Sequence, residues 1–131
     1  MRVRQEYLLG VGGIRALKAL GHWPLKGLHL NEGHCSFAGL EMIRQGWTRE
    51  ECSKRTLFTT HTPVAAGHDK FDWDLVNNVT GDLIGGPERE IATHEGQCSM
   101  SHLGIGMAGR VNAVSHPVSY THLTLPTMRT V

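Results

Sequence analysis

Apolar residues recur at spacings of three and four between Arg4 and Leu20, where Tyr7, Leu8, Val11, Ile14 and Leu17 share one side of a helical period. The stretch therefore predicts an amphipathic helix. Gly10, Gly12 and Gly13 each cost such a helix up to about 1 kcal/mol, and are expected where its backbone packs closely on a neighbour. A phosphate-cradling loop at GVGG would need a strand before it. The preceding RVRQE is charged and helical in character, so a packed helix is the expectation. Gly21 ends it, and Leu25 to Leu30, LKGLHL, predicts a short strand. Asn31 suits a helix N-cap. A helix is expected over about residues 32–45, with Phe37, Leu40 and Ile43 inward. That would put Glu32 and His34 in its first turn, at the carboxyl end of the strand.

Thr48 to Glu51, TREE, is a capping box, with Trp47 placed to staple onto Cys52. Arg55 to Thr60, RTLFTT, is β-branched and aromatic without alternation, the pattern of a strand buried on both faces. Pro63 and Gly67 enforce a loop, and Asp72 suits the N-cap of a helix to about Asn78. Thr80 to Gln97 is polar and glycine-rich and carries no clear period. Ser99 to Gly109 is apolar and expected to be helical despite its glycines, and Val111 to Ser115 reads as a third strand. Strand, helix, strand, helix, strand is the order of a parallel α/β sheet. Such sheets bind ligands beyond the carboxyl ends of their strands. Those ends are HLNEGH, FTTHTP and VNAVS, all rich in polar side chains.

Composition narrows the picture. The chain has 131 residues, 40% hydrophobic and 19% charged, which is ordinary for a folded domain. A net charge of +1 supplies no strong field for nucleic acid or an anionic membrane surface. No apolar run approaches the roughly 20 residues that span a bilayer. Cys35, Cys52 and Cys98 are odd in number and widely spaced, which suits a reducing cytoplasm better than a disulfide framework.

The chemistry then rests on a few side chains. By position alone, His61 serves equally as a structural histidine bridging strand and loop. Glu32 and His34 could simply complement a helix terminus, and Asn112 could satisfy backbone groups in a turn. His34, His61 and His68 lack a close ligand spacing such as His-x-x-x-His, so no metal site is assigned. Cys35 beside His34 is a poor nucleophile pair, because adjacent helix residues point in different directions.

Three segments, RQEYLLGVGGIRALKALG, HLNEGHCSFAGLEMIR and TLFTTHTPVAAGHDKF, closely resemble the α-glucan (glycogen, starch, maltodextrin) phosphorylases in order and spacing, most of all the shorter bacterial and archaeal form. SMSHLGIGMAGRVNAVS is similar to the family segment that leads into a Val-Asn-Gly-Val strand, with Ala113 in place of the glycine. His102 and Gly106 replace more helical family residues. The resemblance covers Arg2 to Ser115 and implies part of a Rossmann-like parallel sheet from a two-domain glycosyltransferase of the GT-B type. It implies transfer of a terminal glucosyl unit from an α-1,4-glucan to inorganic phosphate, with retention, giving glucose 1-phosphate. It also implies pyridoxal phosphate as cofactor, held by a lysine of a C-terminal domain. Nothing in this chain matches that lysine region, so the isolated chain is expected to be inactive.

Carried over residue by residue, the resemblance gives His61 the histidine that hydrogen-bonds the bound glucose, its main-chain carbonyl near the anomeric carbon. Asn112 matches an asparagine that bonds a sugar hydroxyl. Glu32 and His34 match an acidic residue and a histidine on the glucan side of the cleft, and Thr60 is the polar residue before the histidine. His68 and Asp69 belong to the motif without an assigned role. The alternatives are a glycogen or starch synthase of the same architecture and a stand-alone, non-catalytic glucan-binding module. NEGH followed by THTPVAAGHD favours the phosphorylase.

The end of the chain departs from this pattern. Pro117 to Thr127, PVSYTHLTLPT, is similar to the translation of a transposase-type sequencing-library adapter. Residues 2–116 are therefore expected to be part of an N-terminal Rossmann-like domain, and residues 117–131 a non-native tail.

Overall fold

The strand predicted around His61 forms the middle of a parallel sheet. The computed structural model describes residues 2–61, 69–114 and, for the backbone alone, 128–130. β1 (Leu28–Asn31), β2 (Thr56–Thr60), β6 (Arg110–Ala113) and β7 (Met128–Thr130) lie in that spatial order and all run parallel. The register aligns Asn31 with Thr59 and Thr59 with Asn112, so three polar residues stand abreast near the carboxyl ends. Within β2, Phe58, Thr59 and Thr60 are all buried, as a central strand covered on both faces requires. β7 falls within the tail expected to be non-native, and its backbone pairs with β6. Pro117 to Thr127 and the loop carrying Pro63, Gly67 and His68 lie outside the described residues.

The N-terminal helical run is α1 (Arg2–Tyr7), a π-helical turn (Leu8–Gly12) and α2 (Gly13–Ala19). GVGG thus lies within a helical run and not in a loop after a strand. Val11 and Ile14 are buried as expected, but Leu8 is 72% exposed and Leu17 is exposed as well. The buried stripe instead takes in Val3 and the carboxylate of Glu6. Gly10 faces the start of α3 (Phe37–Arg44), where an added Cβ would lie 2.9 Å from the backbone nitrogen of Ala38. Close packing is therefore the use of this glycine.

The expected N-cap at Asn31 is not formed. Asn31 ends β1, and the Glu32 N–H donates to the Thr59 carbonyl at 2.8 Å, which extends the ladder by one bond. A 3-10 turn (Gly33–Cys35) then precedes α3, in which Phe37 and Leu40 are buried. α4 (Arg49–Arg55) opens with the predicted capping box, Thr48 Oγ1 accepting from the Glu51 N–H at 3.0 Å.

Residues 80–97, unreadable from the sequence, hold α6 (Gly86–Ala92) and a hairpin of β4 (Thr93–His94) and β5 (Gln97–Ser99). β3 (Lys70–Phe71) pairs with β5 to complete a small antiparallel sheet, and α5 (Trp73–Thr80) follows it. α7 (Met100–Met107) is helical despite its glycines, with Ser99 accepting from the His102 N–H at its N-cap. A Cβ at Gly104 would sit 2.5 Å from both the Phe58 ring and Ser36 Oγ, so the bare backbone lets α7 press against β2. Leu30, Phe58 and Val111, one from each of three adjacent strands, form the sheet side of the core with Met42, Ile14 and Ile105. A second cluster joins Val3, Phe37, Trp73, Met100 and Leu103 away from the sheet.

Candidate functional site

Glu32 links the carboxyl ends of β1 and β2. Its backbone has φ 69° and ψ −179°, a region nearly reserved for glycine and costing about 1–3 kcal/mol. The conformation turns the chain out of β1 while the side chain stays buried. Glu32 Oε1 accepts the main-chain N–H of His61, and Thr60 Oγ1 donates to the same oxygen at 3.4 Å. Thr60 is fully buried, so the structure places its hydroxyl behind Glu32, while His61 is exposed beyond the strand.

Asn112 is half-buried on β6, level with Thr59. Its Oδ1 is buried and without a hydrogen-bond partner among the described residues. Thr59 is occupied from the other side, its hydroxyl 2.7 Å from His29 Nε2. A buried acceptor left unmatched costs about 1–3 kcal/mol, and a ligand hydroxyl or water at the strand ends would offset it. His29 was missed from the sequence because it reads as one polar residue alternating in a strand.

His34 lies apart from that pair of bonds. Its Nδ1 is 3.4 Å from Asp69 Oδ2, and Asp69 Oδ1 accepts from Arg2 Nη1 at 2.7 Å. Asp69 also holds the start of α7, its carbonyl accepting from the Met100 N–H at 3.0 Å. Glu6 enters this group from α1, only 3% exposed. Burial, and then the neighbouring Asp69 carboxylate, push the Glu6 carboxyl up to about 8. Burial would raise Asp69 as well. Its bonds from Arg2, Glu6 and His34 outweigh that and hold it below the usual carboxylate range. Donor atoms of Glu6, His34 and Asp69 all lie within 4.8 Å of one another. The sequence signal was available: an acidic residue three positions after a buried valine, inside an apolar stripe.

Cys35 is no nucleophile. Its Sγ points at the carbonyl oxygens of Glu32 and Asn31, and burial pushes the thiol up. Cys35, Cys52 and Cys98 are all free thiols. Among the described residues, no helix is long and apolar enough to cross a membrane.

No family model matches the chain. Curated relatives do. A maltodextrin phosphorylase of Thermococcus litoralis is 42% identical across 87% of this chain and 15% of its own length. A glycogen phosphorylase of Mycobacterium tuberculosis is 36% identical across 87% of this chain and 16% of its own. A glycogen phosphorylase of Aquifex aeolicus is 33% identical across 58% of the chain and 12% of its own. The chain thus spans about one-sixth of the length of the curated relatives it matches best covered. With a parallel α/β sheet and this degree of identity over most of its length, the chain belongs to the glycogen and maltodextrin phosphorylase family.

Proposed function

We propose that this chain contributes part of the glucosyl subsite of an α-glucan phosphorylase, a cytoplasmic two-domain glycosyltransferase. The whole enzyme would transfer a terminal glucosyl unit from an α-1,4-glucan to inorganic phosphate, with retention, giving glucose 1-phosphate. The observation that carries this reading is the bond from the His61 main-chain N–H to Glu32. It anchors the Thr60–His61 peptide at the strand end, the point from which the His61 imidazole and the following carbonyl depart. A fixed carbonyl dipole beside the anomeric carbon stabilises positive charge developing on an oxocarbenium-like transition state, the counterpart of an oxyanion hole. The imidazole and the unmatched Asn112 Oδ1 are the groups offered to sugar hydroxyls. Thr60 acts through Glu32, and His34 lines the glucan side.

Pyridoxal phosphate does not fit the residues present. Lys18, Lys26 and Lys54 are exposed, and Lys70 pairs with Glu95 at 3.8 Å. No lysine stands at the strand ends beside His61, so the cofactor belongs to another part of the enzyme. Residues 117–131 remain, in this reading, a non-native tail.

Sequencing the source DNA from an adapter-free template, across the codons after Ser115, tests the proposal. The expected frame continues into a second domain with a cofactor-lysine segment. The resulting protein should phosphorolyse maltodextrin and lose that activity in His61→Ala. A source frame that encodes PVSYTHLTLPTMRTV and stops would overturn it in favour of a stand-alone glucan-binding remnant.

A further inference from the structure

We propose that Glu6, His34 and Asp69 form a binding site for a first-row divalent cation of the Zn²⁺ class. The site would tie α1 to the turn after β1 and to the segment entering β3. The proposal goes beyond the glucan reading and does not rest on it.

The donor set is the first reason. One imidazole nitrogen and two carboxylates from three separate segments place their donor atoms within 4.8 Å of one another. Zinc bonds to nitrogen and oxygen are about 2.1 Å, so tetrahedral ligand pairs stand about 3.4 Å apart. His34 Nδ1 and Asp69 Oδ2 are 3.4 Å apart.

The second reason is independent of clustering. Glu6 is 3% exposed, and once it is ionised neither of its carboxylate oxygens has a hydrogen-bond donor among the described residues. Asp69 Oδ2, facing the same space, is buried and has only the His34 imidazole beside it, at 3.4 Å, among the described residues. Buried polar atoms are nearly always matched, and facing carboxylate oxygens are matched only by a positive species between them. A proton bridges two oxygens. A metal ion accounts for the imidazole nitrogen as well.

Arg2 shapes the site without filling it. Its guanidinium takes Asp69 Oδ1 and leaves Oδ2 directed at Glu6 and His34. With both carboxylates ionised, the three-charge group of Glu6, Asp69 and Arg2 has a net charge of −1, which favours cation entry. His34 is 57% exposed and gives the ion a route from solvent. Three protein donors leave a fourth position for water. Coordination through Nδ1 keeps Nε2 outside the site.

Metal-stripped chain titrated with Co²⁺, a spectroscopic stand-in for Zn²⁺, tests the assignment, with Zn²⁺ competition and circular dichroism in parallel. One saturable ion per chain is expected, with visible absorption that Zn²⁺ abolishes. Glu6→Gln and His34→Ala should each weaken binding at least tenfold, whereas the exposed His22→Ala should not. His34→Asp, which keeps a donor at an exposed position, should restore binding relative to His34→Ala and so separate ligand loss from misfolding. If the stripped chain is unfolded, Zn²⁺ should restore helical dichroism in the parent chain but not in His34→Ala. Absence of a saturable site, or binding that survives His34→Ala unchanged, overturns the proposal.

Discussion

The carboxylate of Glu32, at the end of β1, accepts the main-chain N–H of His61, at the end of β2. A side chain on one strand thereby sets the orientation of a peptide on the next. Glu32→Ala removes that acceptor from a part-buried donor and should cost about 1–3 kcal/mol. Glu32→Gln keeps an acceptor oxygen and should cost less. Glu32→Gly relieves the backbone at φ 69° but loses the carboxylate, and should fall between them. Urea denaturation of the three variants gives the order; equal stability of the alanine variant and the parent would refute the linkage.

Glu6 and Asp69 should give the stability of the metal-free chain a pH dependence. Glu6 is raised to about 8, so its contribution is fully present below the ordinary carboxylate range and is lost as pH rises through about 8. Asp69 is held low, so its contribution is present above the ordinary range and is lost as pH falls. The pair titrates jointly. The alkaline loss is at most about 5 kcal/mol on the Glu6 shift. Denaturation with a chelator present should show falling stability between about pH 5 and about pH 9. Glu6→Gln should flatten that slope; an unchanged slope would locate the titration elsewhere.

How much of this was legible depended on whether local pattern or tertiary contact governs each residue. The capping box at Thr48 and Glu51 is a local device and appears as predicted. β2 was legible because an unbroken run of β-branched and aromatic residues can only be covered on both faces. Asn31 misled, since a good N-cap residue also tolerates a strand end, and the ladder bond from Glu32 to Thr59 decided between them. Residues 80–97 were opaque in part because β4, two residues long, is too short to show a period and exists through pairing with β5. Glu6 stood inside the apolar stripe of the N-terminal helix, but its partner Asp69 lies far along the chain, so the reason for a buried carboxylate there was not legible.

Gly104 is where α7 meets β2. An added methyl would meet the Phe58 ring and Ser36 Oγ, each at 2.5 Å. Both contacts are with buried residues, which cannot swing aside freely. Gly104→Ala gains helix propensity of about 1 kcal/mol but overpacks the core, which costs typically about 1–3 kcal/mol. Net destabilisation is expected by thermal denaturation. The control is Gly13→Ala, where nothing lies within 4 Å and the propensity gain should stand alone. A stabilised Gly104→Ala would mean that α7 can move off the sheet.

The isolated chain should not phosphorolyse maltodextrin. The groups proposed to meet the glucosyl unit are at the strand ends, while no lysine stands there. The measurement is glucose 1-phosphate release from maltodextrin and phosphate, with added pyridoxal phosphate. Turnover above the buffer control would show that the subsite and the phosphate chemistry share these residues.

Asn112 offers the sharpest separation of stability from binding. Its Oδ1 is buried without a partner among the described residues, and an unmatched buried acceptor costs about 1–3 kcal/mol. Asn112→Leu removes that cost at a half-buried position and should leave stability unchanged or raised by up to about 1 kcal/mol. An asparagine with a purely structural role would behave oppositely, since its loss would break bonds. The same substitution in the whole enzyme should weaken glucan turnover, because a sugar hydroxyl loses its acceptor. Chemical denaturation of the chain and phosphorolysis by the whole enzyme read the two effects separately. Loss of stability in the chain would refute the binding role and return Asn112 to the backbone-satisfying reading.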